Sequence, residues 1–362
     1  MGAGPGSARE RFPVVIVGAG QAGLAAGYYL ARARVQFVML DAGRRIGDAW
    51  RNRWGSLRLF TPARIDGLPG MRFPASPSDL ATKDAMAAYL EAYADHFKLP
   101  VRPGVRVSAL DVLDGHYLLS AVGQQVEADQ VIVATGANQT PRIPALAADL
   151  APEIRQLSAG DYTHPSQLRP GRVLVVGAGN SGAEIALEVA KAHETWLSGQ
   201  STGTISSAVF TPPLWWVAMH ILTNATPAGR RVMARMASRG APWLRIKHED
   251  LTAAGIERVA RTVGVENGKP RLEDGRVLDV RNVVWCTGFG HDFSWIHLPV
   301  FDAEGAPVHH RGVATSQPDL YFLGLPFLYG VTSALIGGVG RDAEFVTRHV
   351  LKRSGSSVLR GK

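Results

Sequence analysis

The stretch VVIVGAGQAGLAAGYYL, residues 14–30, decides the fold of this chain. It reads as a strand, a glycine-spaced turn and a helix. Gly18 allows the tight turn, Gly20 lets the backbone approach a phosphate, and Gly23 lets the helix pack closely on the strand. The N-terminus of the helix that follows offers free N–H groups and a positive dipole end to the phosphates. The pattern predicts a dinucleotide-binding unit.

Two further features support this prediction. A second apolar run, residues 35–40, ends on Asp41, at the distance where an acidic residue accepts hydrogen bonds from an adenosine ribose. A second copy of the turn, GAGNSG at residues 177–182, follows the apolar run 173–176. Two such sites suit a flavin that takes hydride from a nicotinamide nucleotide. We therefore predict an α/β fold with two Rossmann-like dinucleotide-binding domains.

Composition limits the class of protein. The chain has 362 residues, of which 46% are hydrophobic and 19% charged, so it can form two globular domains. No apolar run reaches the roughly 20 residues of a transmembrane segment. The N-terminus lacks a signal peptide pattern, and we expect a cytoplasmic protein. Its single cysteine, Cys286, excludes an internal disulfide and a Cys-x-x-Cys redox pair of the thioredoxin-reductase type.

The net charge and the spacing of the histidines indicate whether nucleic acid or a metal ion is an expected ligand. A net charge of +8 favours anionic ligands, but no recognition motif for nucleic acid accompanies it. His291, His297, His309 and His310 lack the spacing of zinc ligands, so no metal site is expected. A homodimer is compatible with the sequence, which leaves the oligomeric state open.

The end of the strand at 194–197 should choose between NADH and NADPH. The following residues, Ser198 to Thr202 with Gln200 among them, contain neither an acidic residue for a 2′-hydroxyl nor an arginine for a 2′-phosphate. We predict that NADH is accepted as well as NADPH.

Residues 210–256 are the least typical segment. One interpretation is a cap helix beside a solvated helix. The alternatives are an apolar lid over a substrate entrance, or a surface that touches a membrane or a partner. The tryptophans at 50 and 54 are equally open to two interpretations, as cofactor contacts or as core aromatics.

The two glycine turns, the loop Gly47-Asp48-Ala49-Trp50 and the turn Trp285-Cys286-Thr287-Gly288-Phe289 resemble the flavin-containing monooxygenase family (class B flavoprotein monooxygenases) over nearly the whole chain. The resemblance is nearest to a short bacterial branch often labelled flavoproteins involved in K+ transport, a label these residues do not support. It implies a nicotinamide domain inserted in a discontinuous FAD domain. The expected divisions are tails at 1–10 and 353–362, an FAD domain at 11–160 and 286–352, and an NAD(P) domain at 161–285 with a helical cap at 210–256.

Site residues follow from the motifs and the resemblance together. The start of a helix near Ser333 would direct amide groups at a flavin carbonyl. Gly160 and His164 keep the spacing of the family's linker fingerprint. Catalytic roles are assigned to Phe60, Thr61 and His164. The cofactor-binding residues are Gly18, Gly20, Ala22, Gly23, Asp41, Gly47, Trp50, Arg58, Val107, Ala134, Thr135, Gly136, Gly177, Gly179, Asn180, Ser181, Gly182, Ser198, Gln200, Cys286, Thr287, Gly288, Gly324, Ser333, Ala334 and Leu335.

The resemblance also implies an activity. The expected enzyme oxidises NADH or NADPH, reduces FAD, and forms a C4a-hydroperoxyflavin with O2. That species would oxygenate a small apolar thioether or amine, or insert oxygen into a ketone, in a pocket kept dry by a lid. Two alternatives stay open: an NAD(P)H oxidase or quinone reductase of the same fold, and a regulatory protein that binds nucleotides without turnover.

Overall fold

The computed structural model describes residues 9–354. The tails predicted at 1–10 and 353–362 lie outside these residues apart from their inner ends. There the structure differs from the prediction, because the first strand begins at Glu10 and the last helix ends at Arg353.

The strands are β1 (Glu10–Val17), β2 (Phe37–Asp41), β3 (Val101–Pro103), β4 (Val107–Leu113), β5 (His116–Ala121), β6 (Gln124–Val133), β7 (Thr140–Pro141), β8 (Arg155–Ser158), β9 (Val173–Val176), β10 (Thr195–Ser198), β11 (Glu257–Val259), β12 (Thr262–Glu266), β13 (Lys269–Leu272), β14 (Asn282–Trp285), β15 (Phe289–Gly290), β16 (His309–His310), β17 (Val313–Ala314) and β18 (Leu320–Phe322). The α-helices are α1 (Gln21–Arg32), α2 (Asp48–Arg51), α3 (Lys83–His96), α4 (Asn180–Val189), α5 (Pro212–His220), α6 (Pro227–Arg239), α7 (His248–Ala253) and α8 (Ile336–Arg353).

The first sheet is built around β1. Strands β18, β6, β1, β2 and β3 lie side by side in this order and run parallel. Val14 to Val17 are buried, as expected for a central parallel strand with both faces covered. The hairpin β4–β5 pairs with the first half of β6. The carboxyl ends of β1, β2, β6 and β18 therefore meet at one edge, which is where open α/β sheets bind ligands.

The second sheet has the order β11-β10-β9-β14-β8, and all its strands are parallel. Its edge strand β8 lies in the stretch that we assigned to the first domain. Residues 145–154 also contribute Ala147, Leu150 and Ile154 to the apolar cluster under this sheet. The predicted bounds 161–285 thus leave out residues 145–158. This four-residue strand was missed because its partner β14 is distant in sequence and prolines flank it.

The cap predicted at 210–256 consists of α5, α6 and α7, and α5 rests on the C-terminal part of the chain. Asn224 N donates to Tyr329 O at 2.7 Å, and the Arg341 guanidinium donates to the carbonyl of Met219. Among residues 9–354, no helix combines the length and apolar character needed to cross a membrane. Through the bonds of Asn224 and Met219, the cap links the second sheet to the start of α8.

Candidate cofactor site

The first glycine turn combines two close contacts with one open position. Gly18 has φ +105°, and a Cβ on it would stand 2.5 Å from Ala134 O. A Cβ on Gly23 would stand 1.9 Å from Gly18 O, whereas one on Gly20 would meet nothing within 4 Å. Gly20 is also the N-cap of α1 and receives no side-chain cap. The turn thus leaves space and free N–H groups where a pyrophosphate would bind.

Asp41 holds the neighbouring loop against this turn. Its Oδ2 accepts a hydrogen bond from Ala19 N at 2.6 Å, and its Oδ1 accepts one from Gly43 N at 2.8 Å. Its carbonyl accepts from Val105 N, which brings the start of β4 and Val107 close to the loop. The half-buried carboxylate keeps acceptor capacity for a ribose, because each oxygen has a second lone pair.

Other predicted residues pack around the same edge. Gly324 has φ +77°, and a Cβ on it would stand 2.7 Å from the Cβ of Ala22. A Cβ on Gly47 would stand 2.8 Å from Ala87 O, so this glycine lets the loop with the half-buried Trp50 lie on α3. Gln139 Nε2 donates to Thr135 Oγ1 and to the Gly136 carbonyl, which fixes the turn after β6.

The second glycine turn repeats the first. A Cβ on Gly177, at φ +107°, would stand 2.3 Å from Cys286 O, and one on Gly182 would stand 1.8 Å from Gly177 O. Nothing lies within 4 Å of the corresponding position on Gly179. Cys286 therefore occupies the place that Ala134 has in the first turn. After it, Thr287 donates to the Arg142 carbonyl and Gly288 has φ +93°.

Asn180, at the start of α4, holds the segment 241–244 over this turn. Its Nδ2 donates to Pro242 O at 3.1 Å, and its Oδ1 accepts from Leu244 N at 3.4 Å. The adjacent Ser181 is half-buried. The side chain of Asn180 is thus engaged by the protein itself.

Ser198 and Gln200, at the end of β10, were predicted to contact a ribose, and the side chain of Ser198 points into the protein. Ser198 is fully buried, and its hydroxyl bonds to Ala260 O and to Thr262 at 2.8 Å each. Gln200 is exposed beyond the strand end. Ser198 stabilises the sheet and is not available to a ligand.

The start of α8 meets a loop from the first domain and the cap. Ser333 Oγ accepts from Tyr329 N and Gly330 N, which closes the turn that leads through Ala334 to the N-cap Leu335. A Cβ on Gly337 would stand 2.0 Å from Ile65 O and 3.3 Å from the Trp215 ring. This close contact brings the loop after Phe60, the cap helix α5 and the first turn of α8 together.

That loop contains a buried carboxyl that sequence reasoning missed. Asp66 is fully buried, and its Oδ1 accepts a hydrogen bond from Thr61 Oγ1. In the described part of the chain, Oδ2 has no hydrogen-bond partner. Burial raises the pKa of Asp66 to about 7, and the bond from Thr61 offsets part of this increase. The only sequence signal was an acidic residue between two apolar positions, Ile65 and Leu68.

Two predicted residues, His164 and Arg58, line surface clefts. His164 lies in a cleft with Arg172, His193 and Glu194, at the edge where β9 and β10 begin, and its Nδ1 bonds to Ser166. Exposed Arg58 donates to Leu80 O and lines a cavity of about 600 Å³ beside α3. Half-buried Phe60 precedes the buried Thr61.

A buried polar cluster joins the two glycine-turn units. Ser56 N donates to Glu188 Oε1 at 3.0 Å, and Gly55 N donates to Thr163 O at 2.9 Å. Glu184, one helical turn before Glu188 on α4, pairs with Arg245 at 3.1 Å. Burial is the main cause that raises the pKa of Glu184. Trp54 is part of this interface and is buried, which favours its interpretation as a core aromatic.

Comparison with known proteins gives the family. The sequence profile of the pyridine nucleotide-disulphide oxidoreductases matches residues 15–225. The "Uncharacterized oxidoreductase CzcO-like" of Geobacillus kaustophilus is 40% identical over 93% of this chain and 98% of its own length. The "Probable indole-3-pyruvate monooxygenase YUCCA7" of Arabidopsis thaliana is 30% identical over 78% of this chain and 75% of its own. The chain belongs to the flavin monooxygenase family.

A solved relative supports the fold of this flavin monooxygenase family member. The flavin-containing monooxygenase from Stenotrophomonas maltophilia superposes with a TM-score of 0.80 at 29% identity, covering 95% of this chain and 99% of that one. The α/β dinucleotide-binding fold predicted from sequence is thereby confirmed. The protein is a flavin-dependent oxidoreductase that uses flavin and nicotinamide cofactors.

The residues present fit these cofactors. Each glycine turn has one position where a Cβ would find open space, next to an uncapped helix start, as a pyrophosphate requires. The family profile is named for disulphide reduction, but this chain has one cysteine. Burial raises the pKa of Cys286 to about 12, so it is a protonated thiol near neutral pH.

Proposed function

We propose that this protein is an FAD-dependent monooxygenase that oxidises NADH or NADPH and transfers one atom of O2 to a small apolar substrate. The substrate class is a soft nucleophile, a thioether or an amine, with a ketone as the further candidate. The observation that carries the proposal is the pair of equally built glycine turns on one chain, together with a cap that rests on α8. Bound FAD would supply hydride acceptance and oxygen activation.

The chain's own residues would bind, orient and exclude water. The turn at Gly18 to Gly23 and Asp41 would hold FAD, and the turn at Gly177 to Gly182 would hold the nicotinamide nucleotide. The first turn of α8 would direct its amide groups toward the flavin ring. Little acid–base chemistry is required of side chains, in agreement with the dispersed positions of His164 and Phe60.

The cap supports a role in excluding water from the reaction. Trp215 packs on the first turn of α8, and Arg341 bonds to Met219 at the end of α5. Leu214 and Trp216 remain 47% and 55% exposed, so α5 presents apolar side chains on its outer side as well. An apolar helix beside the flavin position would favour an apolar substrate and keep the oxygen chemistry dry.

The test measures how oxygen is used. Purified protein with bound FAD is mixed with NADPH or NADH and methyl phenyl sulfide, and nucleotide oxidation, sulfoxide and hydrogen peroxide are quantified. The proposal predicts sulfoxide in proportion to nucleotide oxidised, with its oxygen derived from labelled O2. Peroxide in one-to-one ratio with nucleotide for every thioether, amine and ketone tried would support the oxidase alternative. A flavin that neither nucleotide bleaches under nitrogen would contradict both.

A further inference from the structure

The loop after β10 lacks the groups expected of an NADH-selective site. Sites for NADH place a carboxylate there to bind the 2′-hydroxyl of the adenosine ribose. Ser198 is turned inward, and the sequence from 195 to 248 contains no Asp or Glu. The loop therefore supplies no carboxylate that would select the free 2′-hydroxyl of NADH.

A cation reaches this loop from the neighbouring strand. Arg258, in β11, donates from Nη2 to Gly199 O at 3.3 Å. A Cβ on Gly199 would stand 2.9 Å from Ala178 N, so the loop lies directly against the second glycine turn. The guanidinium of Arg258 also lies 5.4 Å from the ring centroid of Trp243, whose Nε1 donates to Ala178 O. Arg258 is thus held beside the place where an adenosine ribose would bind.

Arg258 is not neutralised by the protein. Across residues 9–354, no carboxylate forms an ion pair with it, and the adjacent Glu257 is engaged by Arg276 and by Trp196. Within the same residues, its buried Nε has no hydrogen-bond partner. Its Nη1 lies 3.3 Å from Nδ1 of His248, a second group that can donate to an anion. Nη1 and Nη2 each carry a second N–H beyond the bonds to His248 and Gly199. A planar guanidinium that lies over an aromatic ring and keeps these two donors suits bidentate binding of phosphate.

We propose that Arg258, assisted by His248, binds the 2′-phosphate of NADPH and makes the protein prefer NADPH over NADH. This inference rests on the proposed function of the second glycine turn. It replaces the prediction that NADH is accepted as well as NADPH, which considered only residues 198–202. Arg258 follows the loop by about sixty residues and reaches it through the pairing of β10 with β11.

The test separates the phosphate from the rest of the nucleotide. Protein with FAD bound is titrated by calorimetry with 2′,5′-ADP and with 5′-AMP, which lacks the 2′-phosphate. Arg258→Met is compared with Arg172→Met. The control is matched because Arg172 also stacks on a tryptophan of this sheet, Trp196, at 5.4 Å, but at the opposite end of the strands.

We expect wild type and R172M to bind 2′,5′-ADP about ten-fold or more tightly than 5′-AMP. R258M should lose this preference while its affinity for 5′-AMP stays within about two-fold. The ratio of flavin reduction rates with NADPH and NADH should fall in parallel.

Equal affinity of wild type for the two fragments would overturn the inference. So would an equal loss of both in R258M, since that would mean that Arg258 only supports the Gly199 loop. If neither nucleotide reduces the flavin, the proposed function fails, and the fragment titration still decides the role of Arg258.

Discussion

Thr61 Oγ1 donates a hydrogen bond to Oδ1 of Asp66, and both side chains are buried next to the start of α8. Burial raises the pKa of Asp66 to about 7, well above the ordinary value of 3.8. Between about pH 4 and pH 7 the folded protein therefore holds a proton that the unfolded chain has lost. The free energy of unfolding must fall as the pH rises through this window.

Asp66→Asn should remove that pH dependence, because the amide is neutral at every pH and keeps an acceptor for Thr61. Relative to wild type, the variant should gain stability from pH 4 to pH 8, by up to about 4 kcal/mol. Urea unfolding at several pH values measures this difference. Thr61→Val serves as the companion variant. It should move the pH range over which stability falls to higher pH, because it removes the hydrogen bond that lowers the pKa of Asp66. A difference in the free energy of unfolding between D66N and wild type that stays the same from pH 4 to pH 8 would contradict the prediction.

The glycine turns predict separable cofactor defects. Gly20→Ala and Gly179→Ala add a Cβ where the protein leaves open space, so both variants should fold with an unchanged thermal midpoint. G20A should bind FAD about ten-fold or more weakly, a loss of about 1.4 kcal/mol. G179A should retain FAD and be reduced slowly by NAD(P)H. Flavin absorbance after gel filtration and anaerobic reduction rates distinguish the two.

Gly18→Ala provides the structural contrast to these variants. Its Cβ would stand 2.5 Å from Ala134 O at a φ of +105°, so the protein itself should be destabilised. A well-folded G18A with normal FAD content would argue against the close contact between β1 and the end of β6.

Cys286 should be chemically silent in the folded protein. With a pKa raised to about 12 by burial, its thiolate fraction at pH 8 is about one in ten thousand. We expect no reaction with Ellman's reagent over an hour in the native state and one equivalent in guanidinium chloride. Rapid labelling of the native protein would show that β14 opens to solvent.

The cap depends on a contact made by Arg341. Replacing it with methionine removes the donor to the Met219 carbonyl and the stacking on Tyr329, whose centroid lies 4.7 Å from the guanidinium. Amide hydrogen exchange in α5 should become about ten-fold faster, equal to about 1.4 kcal/mol of local opening free energy. Arg348→Met, on the same helix but paired with Glu344 at the surface, is the control and should leave α5 unchanged.

Local patterns predicted most of the parallel framework. The glycine spacing, the apolar runs and Asp41 were sufficient for the core of both nucleotide units, because strand, turn and helix are adjacent in sequence. Features that depend on distant pairing were not accessible. Strand β8, the inward turn of Ser198 beside Thr262 and the reach of Arg258 to Gly199 all follow from pairs of segments far apart in the chain. The burial of Asp66 was not predicted, because the neighbouring sequence gives no sign that Gly337 and the cap cover this loop.

Two hydrogen bonds, from Ser56 to Glu188 and from Gly55 to Thr163, connect the two glycine-turn units. Rotation of one unit relative to the other would break both bonds. The buried Glu188 side chain would then lose its N–H donor, which costs free energy because a buried polar group is left without a partner. Under the proposed function, these two bonds would keep the flavin and the nicotinamide at one spacing in the folded protein.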